Sequence, residues 1–272
     1  MAVTEFSSDP GVREPLDAQR TKAGLAAAGV PWTDITVVDS TGSTNTDLVA
    51  AVNSGAAGWG AVVAAGEQTA GRGRLERVWL SDPGTTLSVS VALAAPPQSA
   101  GFVPILAGIA VVRALTDLGA PDGTDLKWPN DVMIAGRKAA GILAEAVPGG
   151  AVVGCGINVS ITEADLPVPE ATSLAVEGVE VERTDLLVAV LVELNRLYQR
   201  WVDAGCDARA SGLLEEYRSR CGTLGRDVRV QLPDGSAVSG RAVDVDSEGR
   251  LVVAGPLGES ALTVGDVVHI RH

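Results

Sequence analysis

The chain has 272 residues, 46% of them apolar and 20% charged, with a net charge of −13 and a pI near 4.6. That length holds one large core, or a core with a small satellite, and the composition excludes a disordered chain. The acidic balance argues against non-specific nucleic-acid binding, and with His269 and His272 as the only histidines, Ser-His-Asp, Cys-His and histidine-rich metal chemistry are disfavoured.

Residues 1–13 read as a loose terminus without the basic and apolar blocks of a secretory signal, and no membrane-spanning segment is expected. A short helix is predicted over 15–28 and a strand over 35–38. The cluster Asp39 to Asn45 offers N-cap residues for a helix over 45–53. Residues 61–65 read as a buried strand, which leads into Thr69-Ala70-Gly71-Arg72-Gly73-Arg74-Leu75-Glu76-Arg77-Val78-Trp79. Residues 86–93 alternate polar and apolar and read as a half-buried strand. A helix over 103–118 is apolar almost all round, hence buried, and stops at Gly119.

Strands are predicted at 124–128, 130–135 and 139–147, with a tight turn at Ala135-Gly136-Arg137, and again at 151–159. The Pro-, Glu-, Thr- and Ser-rich stretch 160–173 reads as a long loop, a common form for functional lids. Residues 184–204 carry Leu187, Val190, Leu191, Leu194, Leu197, Tyr198 and Trp201 on one helical stripe, and a second helix is expected over 208–220. After Cys221-Gly222 only short strand-like pieces follow, at 228–230, 236–244, 251–253 and 267–270, with turns at 233–235 and 247–249. They read as a small β-barrel. Cys155, Cys206 and Cys221 are scattered, unlike a disulfide framework or a zinc site, and are read as reduced thiols of a cytoplasmic protein.

Two stretches carry chemistry. Residues 71–77 hold three arginines and two glycines. Glycines let the backbone approach a ligand and point N–H groups at it, and arginines make charge-assisted bonds to carboxylate or phosphate. The alternative is a solvated hairpin with surface arginines. The second stretch runs from Lys127-Trp128-Pro129-Asn130-Asp131 to Gly136-Arg137-Lys138 and Gly141–Glu145. A lysine between strands of small residues can reach inward and neutralise a phosphate that gains charge in a transition state. Its alternative is a decorated hairpin. Neither a P-loop nor a complete dinucleotide fingerprint is present; Gly154-Cys155-Gly156 is followed by Val159 where a third glycine would stand.

Taken in order, Ser43-Thr44-Asn45, Glu67 to Arg74, Lys127 to Asp131, Gly136-Arg137-Lys138 with Gly141 to Glu145, and Gly154 to Val159 resemble the motifs of biotin–protein ligases. The resemblance runs from about residue 37 to 160. It implies an α+β catalytic domain over 1–221, with a mixed or antiparallel sheet and helices, like class II aminoacyl-tRNA synthetases and biotin–lipoate ligases. It also implies a C-terminal SH3-like β-barrel over 222–272.

The reaction implied is attack of biotin on the α-phosphate of ATP, with Mg²⁺ assistance, to give biotinyl-5′-AMP. The biotin then passes to a lysine of the biotin carboxyl carrier domain of acyl-CoA carboxylases. By that resemblance Ser43, Thr44, Asn45, Gln68, Gly71, Arg72, Arg74, Lys138 and Gly141 contact biotin. Arg72, Arg74, Trp79, Asn130, Lys138 and Asn158 contact ATP or the adenylate. Lys138, Asp131 and Arg72 are the catalytic candidates, with Asp131 assisting the incoming lysine, and no metal ligands are assigned.

Leu75 and Glu76 depart from the usual continuation of the arginine loop, so the family's detailed contacts at these positions are not carried over. Too few residues precede the first motif for a DNA-binding domain, so a ligase without repressor function is expected, with no nucleic-acid or membrane partner. A lipoate- or octanoate-transferring relative of the same fold and a non-catalytic binding module are the competing readings.

Overall fold

A computed structural model describes residues 14–32, 34–74, 77–79, 82–256 and 258–270; the expectations for residues 1–13, for Leu75 and Glu76 and for His272 lie outside these. Helix α1 (Ala18–Ala27) is capped by the Asp17 carboxylate. Strand β1 (Asp34–Val38) precedes α2 (Thr44–Asn53), and of the cap candidates Ser43 is the one used. Then come β2 (Ala61–Ala65), β3 (Thr86–Ala94), a short 3₁₀ turn and α3 (Val103–Asp117). Strands β4 (Asp125–Lys127), β5 (Asp131–Ile134), β6 (Arg137–Val147) and β7 (Gly150–Asn158) follow.

These strands form one seven-stranded sheet in the order β1-β2-β3-β7-β6-β5-β4. Only β1 and β2 run parallel; the other neighbours are antiparallel. Strand β3 lies inside the sheet, and it corrects the half-buried expectation: both its faces are covered, Ser88 and Ser90 included. Val89, Val91 and Leu93 join the core built with α3 and with α4 (Arg183–Asp203). On the opposite face Ala92 packs with Leu48 of α2. The polar half of the alternation therefore faces a covered site, not open water.

Helix α3 is buried nearly all round. With the preceding turn it is long and apolar enough to cross a membrane by length and composition, against the expectation that no such segment exists, but most of it is core of this fold. Helix α5 (Leu213–Arg220) starts later than expected. Gly212 sits at φ +69°, and the Asp207 carboxylate holds the preceding residues in a turn. Strand β6 starts two residues early because Ala135 and Gly136, both at positive φ, make the turn between them.

The chain ends in a five-stranded antiparallel sheet: β8 (Asp227–Gln231), β9 (Ala237–Val245), β10 (Leu251–Gly255), β11 (Gly258–Leu262) and β12 (Asp266–His269), ordered β11-β10-β9-β8-β12. Its strand number suits the SH3-like expectation, although among the described residues no ladder joins β11 to β12 to close a barrel. Strand β11 was not expected from the sequence; four of its five residues are exposed, so it carries no apolar period. This sheet shares a continuous apolar core with the larger one. Trp128 ties the two together, its indole donating to the Gly249 carbonyl at 2.9 Å and its backbone N–H to Thr223 Oγ1 at 3.1 Å.

Candidate active site

A cleft of about 600 Å³ opens on the α2 side of the larger sheet. Its inner end is built on the N-terminus of α2. Ser43 caps the helix, and Ser43, Thr44 and Asn45 are all buried. The Gln68 side-chain carbonyl accepts from the Thr44 backbone N–H at 2.8 Å and faces its hydroxyl at 3.1 Å. Ser90 Oγ lies 2.8 Å from both Thr44 Oγ1 and Asn45 Oδ1. Asn45 donates onward to Glu145 Oε2 at 2.9 Å and to the Leu143 carbonyl at 3.3 Å. Buried hydrogen bonds of this kind contribute about 1 kcal/mol each and fix donor directions. Asn45 thus spends both ends of its amide on the protein, and braces the wall.

The described arms of the arginine loop, 71–74 and 77–79, are held together by backbone bonds. Trp79 N–H donates to the Gly71 carbonyl at 2.9 Å, and Gly73 N–H donates to the Arg77 carbonyl at 2.7 Å. A Cβ on Gly71 would meet the Trp79 carbonyl at 2.5 Å. Gly71 is the one predicted ligand-contacting residue that does not line the cleft; it closes the hairpin from beneath. Arg72 pairs with Glu145 at 3.3 Å and touches Thr46 Oγ1. Arg77 pairs with Asp266 of the smaller sheet.

Arg74 is different. It donates to two neutral oxygens, Asn130 Oδ1 at 3.2 Å and the Gly265 carbonyl at 3.3 Å. Its burial lowers the pKa, partly offset by the more distant Asp131 and Asp266. A guanidinium held by neutral acceptors in a partly dry site is well placed to receive an anion.

Lys138 and Asp131 meet on adjoining strands with Nζ 2.6 Å from Oδ1. The contact is an ion pair without the alignment of a hydrogen bond. The ammonium also lies 5.6 Å from the centroid of the Trp79 ring. Gly141 and Gly156 make room for this group: a Cβ on Gly141 would stand 3.1 Å from Lys138 Nζ, and one on Gly156 would meet the Trp79 indole at 2.5 Å. Trp79 Nε1 is buried and finds no partner among the described residues, so it is a donor that a ligand could satisfy. Asn130 uses both ends within the protein, accepting from Arg74 and donating to the Ile142 carbonyl at 2.9 Å.

The loop expected over 160–173 crosses the outer end of the cleft. Ile161, Asp165, Pro167, Val168 and Ala171 line it. Lys138 N–H donates to the Glu170 carbonyl at 2.7 Å, and Thr172 N–H donates back to the Lys138 carbonyl at 2.9 Å. Asn158 donates to the Thr172 carbonyl at 2.8 Å. The Gly154-Cys155-Gly156 stretch is plain strand, with no phosphate-binding turn.

Ser43, Thr44, Asn45, Gln68, Arg72, Arg74, Trp79, Asn130, Asp131, Lys138, Gly141 and Asn158 are thus brought to one wall system. Sequence reasoning missed Ser90, the hub beneath α2, and the contribution of Gly265 and Asp266 from the smaller sheet. It also gave no role to Glu145, whose only signal was its place at the end of a quoted motif.

Comparison with known proteins places this geometry in context. Residues 37–161 match the model of the Biotin/lipoate A/B protein ligase family, and residues 223–270 match that of the Biotin protein ligase C terminal domain. The chain is 40% identical over 266 residues to the biotin–[acetyl-CoA-carboxylase] ligase of Mycobacterium tuberculosis, covering 96% of this chain and 98% of that protein. It is 32% identical over 219 residues to the bifunctional ligase/repressor BirA of Bacillus spizizenii, covering 76% of this chain and 66% of that one. In fold it resembles the biotin protein ligase of Aquifex aeolicus solved with biotin and ATP, at a TM-score of 0.72 and 24% identity, covering 88% of this chain and all of that one.

Proposed function

This chain belongs to the biotin/lipoate A/B protein ligase family, and from that premise we propose how its residues divide the work of an ATP-dependent biotin ligase. The enzyme activates biotin with ATP to biotinyl-5′-AMP and then passes the biotin to a lysine of a carboxylase carrier protein. The lipoate-transferring alternative loses ground to a 40% identical biotin ligase along nearly the whole chain. The observation that carries the assignment of roles is the Lys138–Asp131 pair, with the Arg74 guanidinium bonded to the adjacent Asn130 on the same cleft.

In the first step the biotin carboxylate attacks the α-phosphorus and pyrophosphate departs. Negative charge grows on the phosphoryl oxygens, so preorganised cations lower the barrier. Lys138 and Arg74 supply them. No histidine base or covalent nucleophile is needed, because positioning and charge do most of the work. Thr44 and Gln68 present fixed polar groups to the ureido ring.

In the second step the carrier lysine amine attacks the acyl carbon and AMP leaves. Asp131 is released from Lys138 as that ammonium turns to the phosphate, and accepts a proton from the incoming amine. The loops matter because water would hydrolyse the mixed anhydride.

Mg²⁺ accompanies ATP. Asp82, Asp131 and Asp165 are carboxylates on the cleft wall, which suits an ion that arrives on phosphates and takes one or two protein carboxylates. When bound it offsets phosphate charge. We also assign the chemistry to residues before 222 and a supporting role to those after it. The net charge of −13 supports a protein rather than a nucleic-acid partner, and the free thiols of Cys155, Cys206 and Cys221 fit a reducing cytoplasmic setting.

The test is incubation with Mg²⁺, ATP, labelled biotin or lipoate, and a carrier domain. Biotin-dependent pyrophosphate release and a labelled carrier lysine are expected. Lipoate consumption without biotin consumption would overturn the substrate, and no pyrophosphate with either would return the binding-module reading.

A further inference from the structure

Arg137 stands next to Lys138 but points elsewhere, as neighbours along a strand do. Its guanidinium takes Glu163 Oε1 at 2.8 Å through one terminal nitrogen and Glu177 Oε1 at 2.9 Å through the other. Glu163 lies near the start of the 160–173 segment that lines the cleft, and Glu177 lies in the turn just past its end. Glu177 is nearly buried, with its side chain 11% exposed, and also accepts from Thr172 Oγ1 at 2.6 Å. Between the two ends, the backbone bonds to Lys138 N–H and C=O hold the segment down. The segment therefore rests on the backbone of Lys138 and is drawn together by the side chain of Arg137.

We propose that Arg137 is a positioning residue, a two-ended clasp that fixes the segment 160–173 over the cleft and so holds both the adenylate and the backbone of Lys138. This rests on the ligase reading of the cleft. The segment's own fastening is otherwise modest: a few backbone bonds, the Asn158–Thr172 bond and the Ser173 hydroxyl on the Ile161 carbonyl at 2.6 Å. The Glu163 end is 67% exposed and weak. The Glu177 end carries most of the effect, because its carboxylate is shielded from water and shared between Arg137 and Thr172. A planar guanidinium can span two carboxylates in fixed geometry; an ammonium at the same place is a single point charge.

The test compares wild type with Arg137→Ala, Arg137→Lys and Glu163→Gln. Hydrogen exchange in the ligand-free proteins reads the clasp without any activity. Amides of 160–173 should exchange about tenfold faster in Arg137→Ala, with Arg137→Lys and Glu163→Gln intermediate and the core of α3 unchanged. Release of preformed biotinyl-AMP should be faster by a similar factor, with KM for ATP raised and KM for biotin nearly constant. A merely structural arginine would loosen α3 and 160–173 together.

Equal exchange across 160–173 in wild type and Arg137→Ala would overturn the proposal. If Arg137→Ala does not fold, exchange across 160–173 in Arg137→Lys equal to wild type would overturn it instead. If wild type shows the exchange pattern but makes no biotinyl-AMP, the ligase reading fails and the clasp stands. If adenylate forms and leaves every variant at one rate, the clasp has no part in holding it.

Discussion

The Lys138 ammonium sits 2.6 Å from the Asp131 carboxylate, so the cation proposed to meet the phosphate is held by the carboxylate proposed to meet the amine. In the proposed mechanism the pair couples the two half-reactions: formation of the acyl phosphate draws Lys138 away and leaves Asp131 available.

Removing either member separates the steps. Lys138→Ala should lower biotin-dependent pyrophosphate exchange by roughly 10²–10³-fold, the usual loss for one preorganised charge-stabilising group. Asp131→Asn should leave that exchange within about tenfold of wild type and slow transfer to the carrier lysine by roughly 10²-fold. Near-normal exchange in Lys138→Ala would contradict its role, and unimpaired single-turnover transfer in Asp131→Asn would contradict the other.

Arg74→Gly should release biotinyl-AMP. The substitution removes the bonds to Asn130 and Gly265 together with the cation facing the phosphate. Labelling of bystander proteins by the variant should rise while adenylate synthesis persists. Tight retention of the adenylate would show that the arginine loop is not a lid.

Gly154→Ala should destabilise the protein by about 1–3 kcal/mol, the usual effect of forcing extra volume into a packed site. Its Cβ would stand 2.4 Å from Asn45 Oδ1 and 3.1 Å from Ser90 Oγ, prising apart the network under α2. A denaturant midpoint equal to wild type would mean that the network can shift freely.

His269 gives an acid dependence. Burial pushes its pKa down from 6.5 to about 4, with the positive charges of Lys127 and Arg226 adding to the effect. The folded protein therefore keeps the ring neutral where the unfolded chain would protonate it. The stability is fully present above about pH 6.5 and is lost as pH falls toward 4. His269→Gln should flatten this part of the Tm-against-pH curve. A curve of unchanged slope between those values would remove His269 from the acid limb.

The sequence by itself determined most of the element order, because apolar periodicity and turn residues are local properties. The stripe of α4 and the all-apolar α3 could be read directly, and the glycine-arginine loop stood out by composition. The ordered motifs also pointed to the residues that gather on the cleft. The strand β11 escaped, since its residues are polar and exposed, and the start of α5 escaped because the left-handed Gly212 sets it.

Only the tertiary structure decided who touches whom. Ser90 reads as one polar step in an alternating strand, and becomes a hub because α2 covers that face. Asp266 and Gly265 reach the arginine loop across nearly two hundred residues of sequence. Arg137 gathers Glu163 from a segment that composition marks only as loop, and Glu177 from the turn that follows it. Hydrogen bonds and ion pairs act over a few ångströms of space, and residue spacing along the chain encodes such distances only within an element. Between elements they are set by how the sheet and helices pack.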